Sequence, residues 1–159
     1  MTDKLNLTKY AINYLSKFSS SKNNLKKIIM NKIKRSNIEK VDKFNLYNNV
    51  ESIIIKLEEN NFINDYEYAL SKIRNFNTQG KSKIFIKSYF ISKGIEKNII
   101  DKVLEEYELK NVDWEILSAR KFFTKKRLIK NQENKEKNLS KMARAGFKYD
   151  ICIKILDEI

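Results

Sequence analysis

Residues 94–107 have the sequence GIEKNIIDKVLEEY, and residues 146–159 have the sequence GFKYDICIKILDEI. In both stretches a glycine and one apolar residue precede apolar positions i, i+1, i+4, i+5 and i+8: Ile99, Ile100, Val103, Leu104 and Tyr107, then Ile151, Cys152, Ile155, Leu156 and Ile159. This spacing places each set on one face of an amphipathic helix. Glycine readily adopts the positive φ that ends a preceding helix. The two stretches therefore predict a repeated helix–glycine turn–helix unit.

Further helices are predicted on both sides of these stretches. The segment Lys83–Lys93 matches Lys135–Ala145 as the helix before each glycine turn. Earlier in the chain, three apolar stripes predict three more helices: Tyr10, Ala11, Tyr14, Leu15 and Phe18; Leu25, Ile28, Ile29 and Ile33; Val50, Ile53, Ile54 and Leu57. Possible helix N-caps precede later helices at Asn64-Asp65 and at Asp113, and the run Ser19–Ser21 supplies capping hydroxyls.

We therefore predict an all-α fold of about nine helices, arranged as three tandem three-helix repeats at residues 1–60, 61–111 and 112–159. A repeat of this size buries too little on its own and is stabilised by stacking on its neighbours. The expected result is an elongated, curved, solenoid-like body. The first repeat departs from the pattern, because Ile33–Ser36 stands where the others have a glycine turn.

Composition argues against most catalytic and metal-binding functions. The 159 residues include no His, no Pro, three Gly and one Cys, so an imidazole base, a His metal ligand and an internal disulfide are all excluded. The adjacent pairs Glu58-Glu59 and Glu105-Glu106 do not share a helix face. The longest run of large apolar residues, Ile53–Ile55, is too short to span a bilayer, and the first residues lack a signal-peptide core. We expect a soluble, cytoplasmic, non-enzymatic protein without cofactor or metal.

The order of the charges is more informative than the net charge of +13. No acid occurs between Asp3 and Glu39, between Glu67 and Glu96, or between Glu115 and Glu133, and these three blocks contain most of the 33 Lys and Arg. Like charges gathered on one side repel one another, and a polyanion or an acidic protein surface relieves that repulsion. The alternative is that the blocks are solvated helix faces.

Nine basic residues are the candidates for contact with a partner or with DNA: Arg74, Lys81, Lys83, Lys87, Arg120, Lys121, Lys125, Lys126 and Arg127. Arg74 is either an anion contact through its planar guanidinium or a cation favoured by the dipole at a helix end. Lys81, Lys83 and Lys87 follow Gly80 at a predicted helix start, where cations are mildly unfavourable, and this favours anion binding. The densest cluster runs from Arg120 to Arg127.

Several aromatic side chains and the single cysteine are expected to lie in the core. Tyr10, Tyr14 and Phe18 have helical spacing, and Cys152 lies on an apolar stripe. Trp114 is expected to pack inside the protein or between repeats, with stacking on a nucleobase as the alternative.

An ordered series of motifs resembles the RecX family over nearly the whole chain. The series comprises Phe62–Asp65 with Tyr68-Ala69, then Gly80–Lys83 through Phe90–Ile95, then Asp113-Trp114 with Ala119–Lys121, and finally Leu139–Leu156 with Gly146-Phe147 and Tyr149-Asp150. No single motif is diagnostic, and the first repeat lacks the Lys-Gly turn typical of the family.

The resemblance implies a regulator of recombination and DNA repair in the SOS response. Proteins of this family bind the RecA recombinase and its filament on single-stranded DNA, lie in the filament groove, and limit ATP hydrolysis and strand exchange. The partners implied here are the RecA filament and single-stranded DNA, contacted directly or through the filament by a monomer. No membrane is implied.

Two other classes of function are compatible with parts of the sequence. A sequence-nonspecific DNA-binding protein of helix-turn-helix type would use the repeated helix–turn–helix units. The helix after Gly94, however, would carry four acids towards the phosphates, Asp101, Glu105, Glu106 and Glu108. A helical scaffold for another acidic protein fits the charge order equally well, and only the family resemblance distinguishes it from a filament regulator.

Overall fold

The computed structural model describes residues 5–129 and 131–158, and within these ranges the protein is helical with no strand. Lys4, Lys130 and Ile159, which belong to the predicted basic blocks and apolar stripe, lie outside the described residues. The α-helices are α1 Leu7–Leu15, α2 Lys22–Arg35, α3 Lys40–Glu59, α4 Asp65–Thr78, α5 Lys83–Ser92, α6 Lys97–Lys110, α7 Trp114–Lys125, α8 Lys135–Arg144 and α9 Tyr149–Asp157, with a 3₁₀ turn at Gln132–Asn134. The all-α prediction is confirmed. No helix in the described part of the chain has the length and apolarity needed to cross a bilayer.

Contacts divide the chain into two compact units. The first unit contains the described residues up to Tyr68 together with Lys93–Ile95, and the second contains Ala69–Ser92 together with the residues from Glu96 onward. In the first unit, α1, α2 and α3 bury their apolar stripes against one another. The buried residues include Leu7, Ala11, Leu25, Ile29, Ile33, Val50, Ile54, Leu57 and Ile63. Their spacing of three or four is what lets each helix contribute a continuous apolar face.

The second unit buries the stripes of its helices in the same way. The cluster around α7, α8 and α9 contains Ala119, Phe123, Leu128, Met142, Phe147, Cys152, Ile155 and Leu156. Further fully or nearly fully buried residues come from α4, α5 and α6, among them Ile73, Ile86, Phe90, Ile100 and Val103. Cys152 has no exposed surface, and burial raises the pKa of its thiol, which fits its assignment as a small core residue.

Two sequence expectations about helix ends and core need correction. Phe18 lies beyond the end of α1 and is 56% exposed, so it is not a core residue, although its ring contacts Tyr14. Asp65 is the first residue of α4 and does not cap it. The cap is made by Asn64, whose Oδ1 accepts from Glu67 N at 3.1 Å. Asp113 does occupy the N-cap position of α7, but its side chain makes no capping hydrogen bond.

A buried serine joins three segments of the first unit. Ser21 caps α2 by accepting from the N–H of Asn24, and its hydroxyl donates to the carbonyl of Lys93 at 2.7 Å. The N–H of Lys22, the first residue of α2, donates to Asp65 Oδ1 at 2.8 Å. Gly94 follows the accepting carbonyl, and a Cβ there would lie 2.4 Å from the Asn23 side chain, so the absence of a side chain permits the close approach.

The same arrangement recurs in the second unit. Ser82 caps α5 by accepting from the N–H of Phe85, and its hydroxyl donates to the carbonyl of Ala145 at 2.7 Å. The N–H of Lys83 donates to Glu115 Oε1 at 2.9 Å. Gly146 follows the accepting carbonyl, and a Cβ there would lie 2.6 Å from the Ser82 hydroxyl.

The two buried junctions support the predicted internal repetition. In each, the N-terminus of a second helix is tied to the glycine turn and to the first helix of the repeat that follows in the sequence. Both serines are buried and satisfy two backbone groups at once, an N–H and a carbonyl, which buried polar atoms require. The division into three repeats stays a prediction.

Replacing Ser82 with Ala tests the junction. The variant loses the cap of α5 and leaves the Ala145 carbonyl without this donor, so we expect the free energy of unfolding to fall by about 2 kcal/mol. Urea denaturation followed by circular dichroism measures the change. Ser92→Ala is the control, because that exposed hydroxyl bonds only to the Tyr89 carbonyl of its own helix. Equal stability of the two variants would show that the junction contributes nothing.

Candidate functional site

Three of the nine predicted contact residues form ion pairs within the chain. Lys83 Nζ lies 2.8 Å from Glu108 Oε1, and Lys87 Nζ lies 3.3 Å from Asp101 Oδ1. Arg120 makes a bidentate pair with Glu158, with N···O distances of 2.9 and 2.6 Å. The hydrogen bonds that Arg120 donates to Glu158 raise the pKa of its guanidinium.

The pairing of α5 with α6 has a counterpart between α2 and α3. Lys22 and Lys26, the first and fifth residues of α2, pair with Glu58 and Glu51 of α3. Lys83 and Lys87 hold the same two positions in α5, and their acids on α6 have the same spacing. Lys135, the first residue of α8, pairs with Asp157 at the end of α9. Lysines from a stretch of sequence that contains no acid therefore form ion pairs with acids of the neighbouring antiparallel helix.

The end of α7 carries cations that have no acidic partner among the described residues. Lys125 is the last residue of the helix, Lys126 is its C-cap, and Arg127 follows with a φ of 50°. All three are exposed. One turn earlier, Lys121 Nζ lies 3.4 Å from the carbonyl oxygen of Asn77 near the end of α4. These cations repel one another and form no ion pair with a carboxylate of the described residues, so an external anion would stabilise them.

Arg74 and Lys81 lie near Lys121. Arg74 is exposed and precedes Asn77 by one turn of α4. Because α4 continues to Thr78, Arg74 is not in its last turn, and the helix-dipole explanation for this residue loses its basis. The carbonyl of Lys81 accepts from the Ser118 hydroxyl at 2.6 Å, one turn before Lys121 on α7.

We define the basic surface as the six predicted residues without an acidic partner in the described chain: Arg74, Lys81, Lys121, Lys125, Lys126 and Arg127. They lie in the second half of α4, in the turn that follows it, and in the last turns of α7 and the two residues after it, whereas the ion-paired Lys83, Lys87 and Arg120 are neutralised locally. An exposed cation already paired with a carboxylate contributes less to binding an external anion than an unpaired one.

Trp114 is part of the core. It is 3% exposed, and its ring packs edge-on against Tyr107 with centroids 5.6 Å apart. A nucleobase cannot stack on a ring that is already covered. The packing assignment is therefore confirmed, and base stacking on Trp114 is excluded.

Glu115 is a feature that the sequence analysis missed. It lines an open depression of about 340 Å³ together with Glu108, Asp113 and Asp150, next to Trp114. Burial raises the pKa of its carboxyl, and the hydrogen bond from the Lys83 N–H opposes this only in part. The only sequence signal is an acid in the first turn of a helix, which usually indicates a favourable helix-dipole interaction. The described residues contain no group of side chains arranged to hold a metal ion.

The raised pKa of Glu115 predicts that the stability of the protein depends on pH. A carboxyl whose pKa is higher in the folded than in the unfolded state binds its proton more tightly when folded, so its contribution to stability falls as the pH rises above the unfolded value. Glu115→Gln keeps an acceptor for the Lys83 N–H and removes the partly buried charge. We expect this variant to be more stable than the parent at pH 7 and the difference to vanish below pH 4.5.

Thermal unfolding of the parent and of Glu115→Gln, from below pH 4.5 to pH 7, measures the difference in stability. The exposed Glu105→Gln on α6 controls for the loss of one negative charge. A Glu115→Gln variant that is less stable than the parent at neutral pH would contradict the assignment.

The chain is similar to known proteins in both sequence and fold. No protein-family model matches the chain. A curated relative, Regulatory protein RecX of Myxococcus xanthus (strain DK1622), is 27% identical over 157 residues, which cover 92% of this chain and 82% of the relative.

Two solved structures share the fold. The crystal structure of RecX from Lactobacillus salivarius has a TM-score of 0.71 and 25% identity, with 99% of this chain and 98% of that chain covered. A second crystal structure of a regulatory protein RecX has a TM-score of 0.66 and 23% identity over 97% of this chain and 73% of that chain, and at this identity it supports the fold alone. The sequence relative and the solved structures agree with the ordered motifs, and this chain is similar in sequence and in fold to proteins of the RecX family.

Proposed function

We propose that this protein is a non-catalytic regulator that binds the RecA filament on single-stranded DNA and slows its ATP hydrolysis and strand exchange. The observation that carries the proposal is the basic surface on a chain whose sequence and fold resemble those of proteins named RecX. It acts as a monomer in the cytoplasm and needs no cofactor.

The basic surface supplies the physical basis for filament binding. Its cations form no ion pair with an acid among the described residues, so bringing them to an anionic polymer relieves repulsion and releases counterions. Several weak contacts on one body add through effective concentration once the first has formed. A regulator that acts by occupying the surface of a polymer requires positioning and charge rather than a nucleophile and a base.

The helix-turn-helix alternative is less well supported by the structure. The helix that follows the Gly94 turn is α6, and its buried face is apolar. Its outward face therefore carries the acids, including the exposed Asp101 and Glu105. Such a face would be repelled by DNA phosphates, so α6 is a poor recognition helix.

The proposed function predicts an effect on the reaction that RecA catalyses. Substoichiometric amounts of the protein should slow ATP hydrolysis by RecA on single-stranded DNA, because a bound regulator affects more than one protomer of a filament. A coupled ATPase assay measures the rate, with RecA alone and this protein alone as controls. An unchanged rate at equimolar protein would remove the proposal.

The second prediction concerns the basic surface. Replacing Lys121, Lys125, Lys126 and Arg127 together with Gln should weaken filament binding at least tenfold, with the melting temperature retained or raised because like-charge repulsion falls. Arg120 is left in place because Glu158 already neutralises its charge.

A matched variant carries four Gln on other exposed lysines without an acidic partner in the described chain: Lys40 and Lys56 of α3, and Lys97 and Lys110 of α6. It loses the same charge at different places and should bind almost normally. Equal losses in both variants would mean that net charge alone, and not the basic surface, drives binding.

A further inference from the structure

Three aromatic rings pack together beside the basic surface. Phe76 of α4 makes edge-on contacts with Phe85 and Tyr89 of α5, with ring centroids 5.5 and 4.8 Å apart. Phe76 and Tyr89 are half-buried, while Phe85 is 37% exposed. The edge contact with Phe76 fixes the orientation of the Phe85 ring and leaves part of it accessible.

A flexible cation covers the Phe85 ring. Lys81 Nζ lies over it, 4.5 Å from the ring centroid. Lys81 has no acidic partner in the described chain, so only a solvent-exposed cation–π contact holds its ammonium group there. The backbone of the turn is fixed independently, because the Ser118 hydroxyl donates to the Lys81 carbonyl and Gly80 approaches the backbone of Phe122 too closely for a side chain. The Lys81 side chain can therefore leave the ring without any change in the fold.

We infer that Phe85 is a stacking platform for one base of a single-stranded nucleic acid, and that Lys81 moves from the ring to the adjacent phosphate when the base binds. Stacking of a base on an aromatic ring is stronger than an exposed cation–π contact, so the exchange is favourable. The displaced ammonium gains a phosphate, and Lys121 and Arg74 supply further cations for the same strand.

The chemistry selects a single strand over other anionic partners. A duplex keeps its bases stacked on one another, so it offers phosphates but no free face to Phe85. An acidic protein surface would satisfy the cations but gives no role to the ring that Phe76 holds under the Lys81 ammonium. The inference rests on the proposed function for its setting, since the RecA filament is built on single-stranded DNA.

The test uses the full-length protein and DNA without recombinase. Fluorescence anisotropy compares its affinity for a labelled oligo(dT) strand with that for the matching duplex. Phe85→Leu keeps the apolar volume and removes the ring. It should weaken binding of the single strand about tenfold, which corresponds to the loss of one stacked base, and it should leave duplex binding unchanged. Phe85→Tyr should retain the affinity of the parent.

Matched variants separate stacking from packing and charge. Phe44→Leu makes the same substitution at an exposed phenylalanine of α3 and should have no effect. Lys81→Gln should reduce the slope of log K against log salt by about 0.7, whereas Phe85→Leu should leave the slope unchanged. Photocrosslinking to a strand that contains 5-iododeoxyuridine should attach the base at Phe85, as located by mass spectrometry.

Three results would overturn the inference: no binding of the strand, equal binding by Phe85→Leu and the parent, or a crosslink that maps away from the aromatic cluster. Because RecA is absent from these measurements, such a failure leaves the ATPase result intact. Conversely, failure of the ATPase assay with Phe85-dependent strand binding would remove the proposed function and keep the stacking site.

Discussion

Antiparallel packing of neighbouring helices decides which cations of this protein remain available to a partner. Lysines at the start of α2, α5 and α8 meet carboxylates near the end of α3, α6 and α9, and these exposed pairs cancel locally. Each pair contributes little to stability. The larger effect of each pair is to cancel a positive charge that would otherwise add to the electrostatic potential at the surface. The cations at the ends of α4 and α7 have no such acid within the described residues, and they define the one surface on which the proposed function depends.

The helices follow from local physics and could be predicted from the sequence. Apolar residues at helical spacing mark the buried faces of α6 and α9, and Gly94 and Gly146 adopt the positive φ expected of helix ends. Ser21 also caps its helix as expected. The errors concern residues whose role depends on distant parts of the chain. Phe18 has the correct spacing, but its helix ends before it, and Asp65 binds the Lys22 N–H instead of capping its own helix.

The candidate site was only partly predictable, for a related reason. The three acid-free blocks are a property of the linear sequence, whereas neutralisation is a property of helix neighbours. Lys83 and Lys87 look like Lys121 and Lys125 in the sequence, yet in the described part of the chain only the first two form ion pairs with carboxylates. Likewise, the sequence around Lys81 does not predict its contact with the Phe85 ring. That ring is oriented by Phe76, which reaches it only when α4 packs against α5.

The salt dependence of filament binding tests the central claim most directly. The affinity of the parent for RecA filaments on single-stranded DNA should fall linearly on a log–log plot against salt, and the variant with Gln at Lys121, Lys125, Lys126 and Arg127 should give a markedly shallower slope. Neutralising the ion-paired Lys83 and Lys87 should leave the slope close to that of the parent. Equal slopes for the parent and the variant of the basic surface, or a larger change from the paired lysines, would contradict the account.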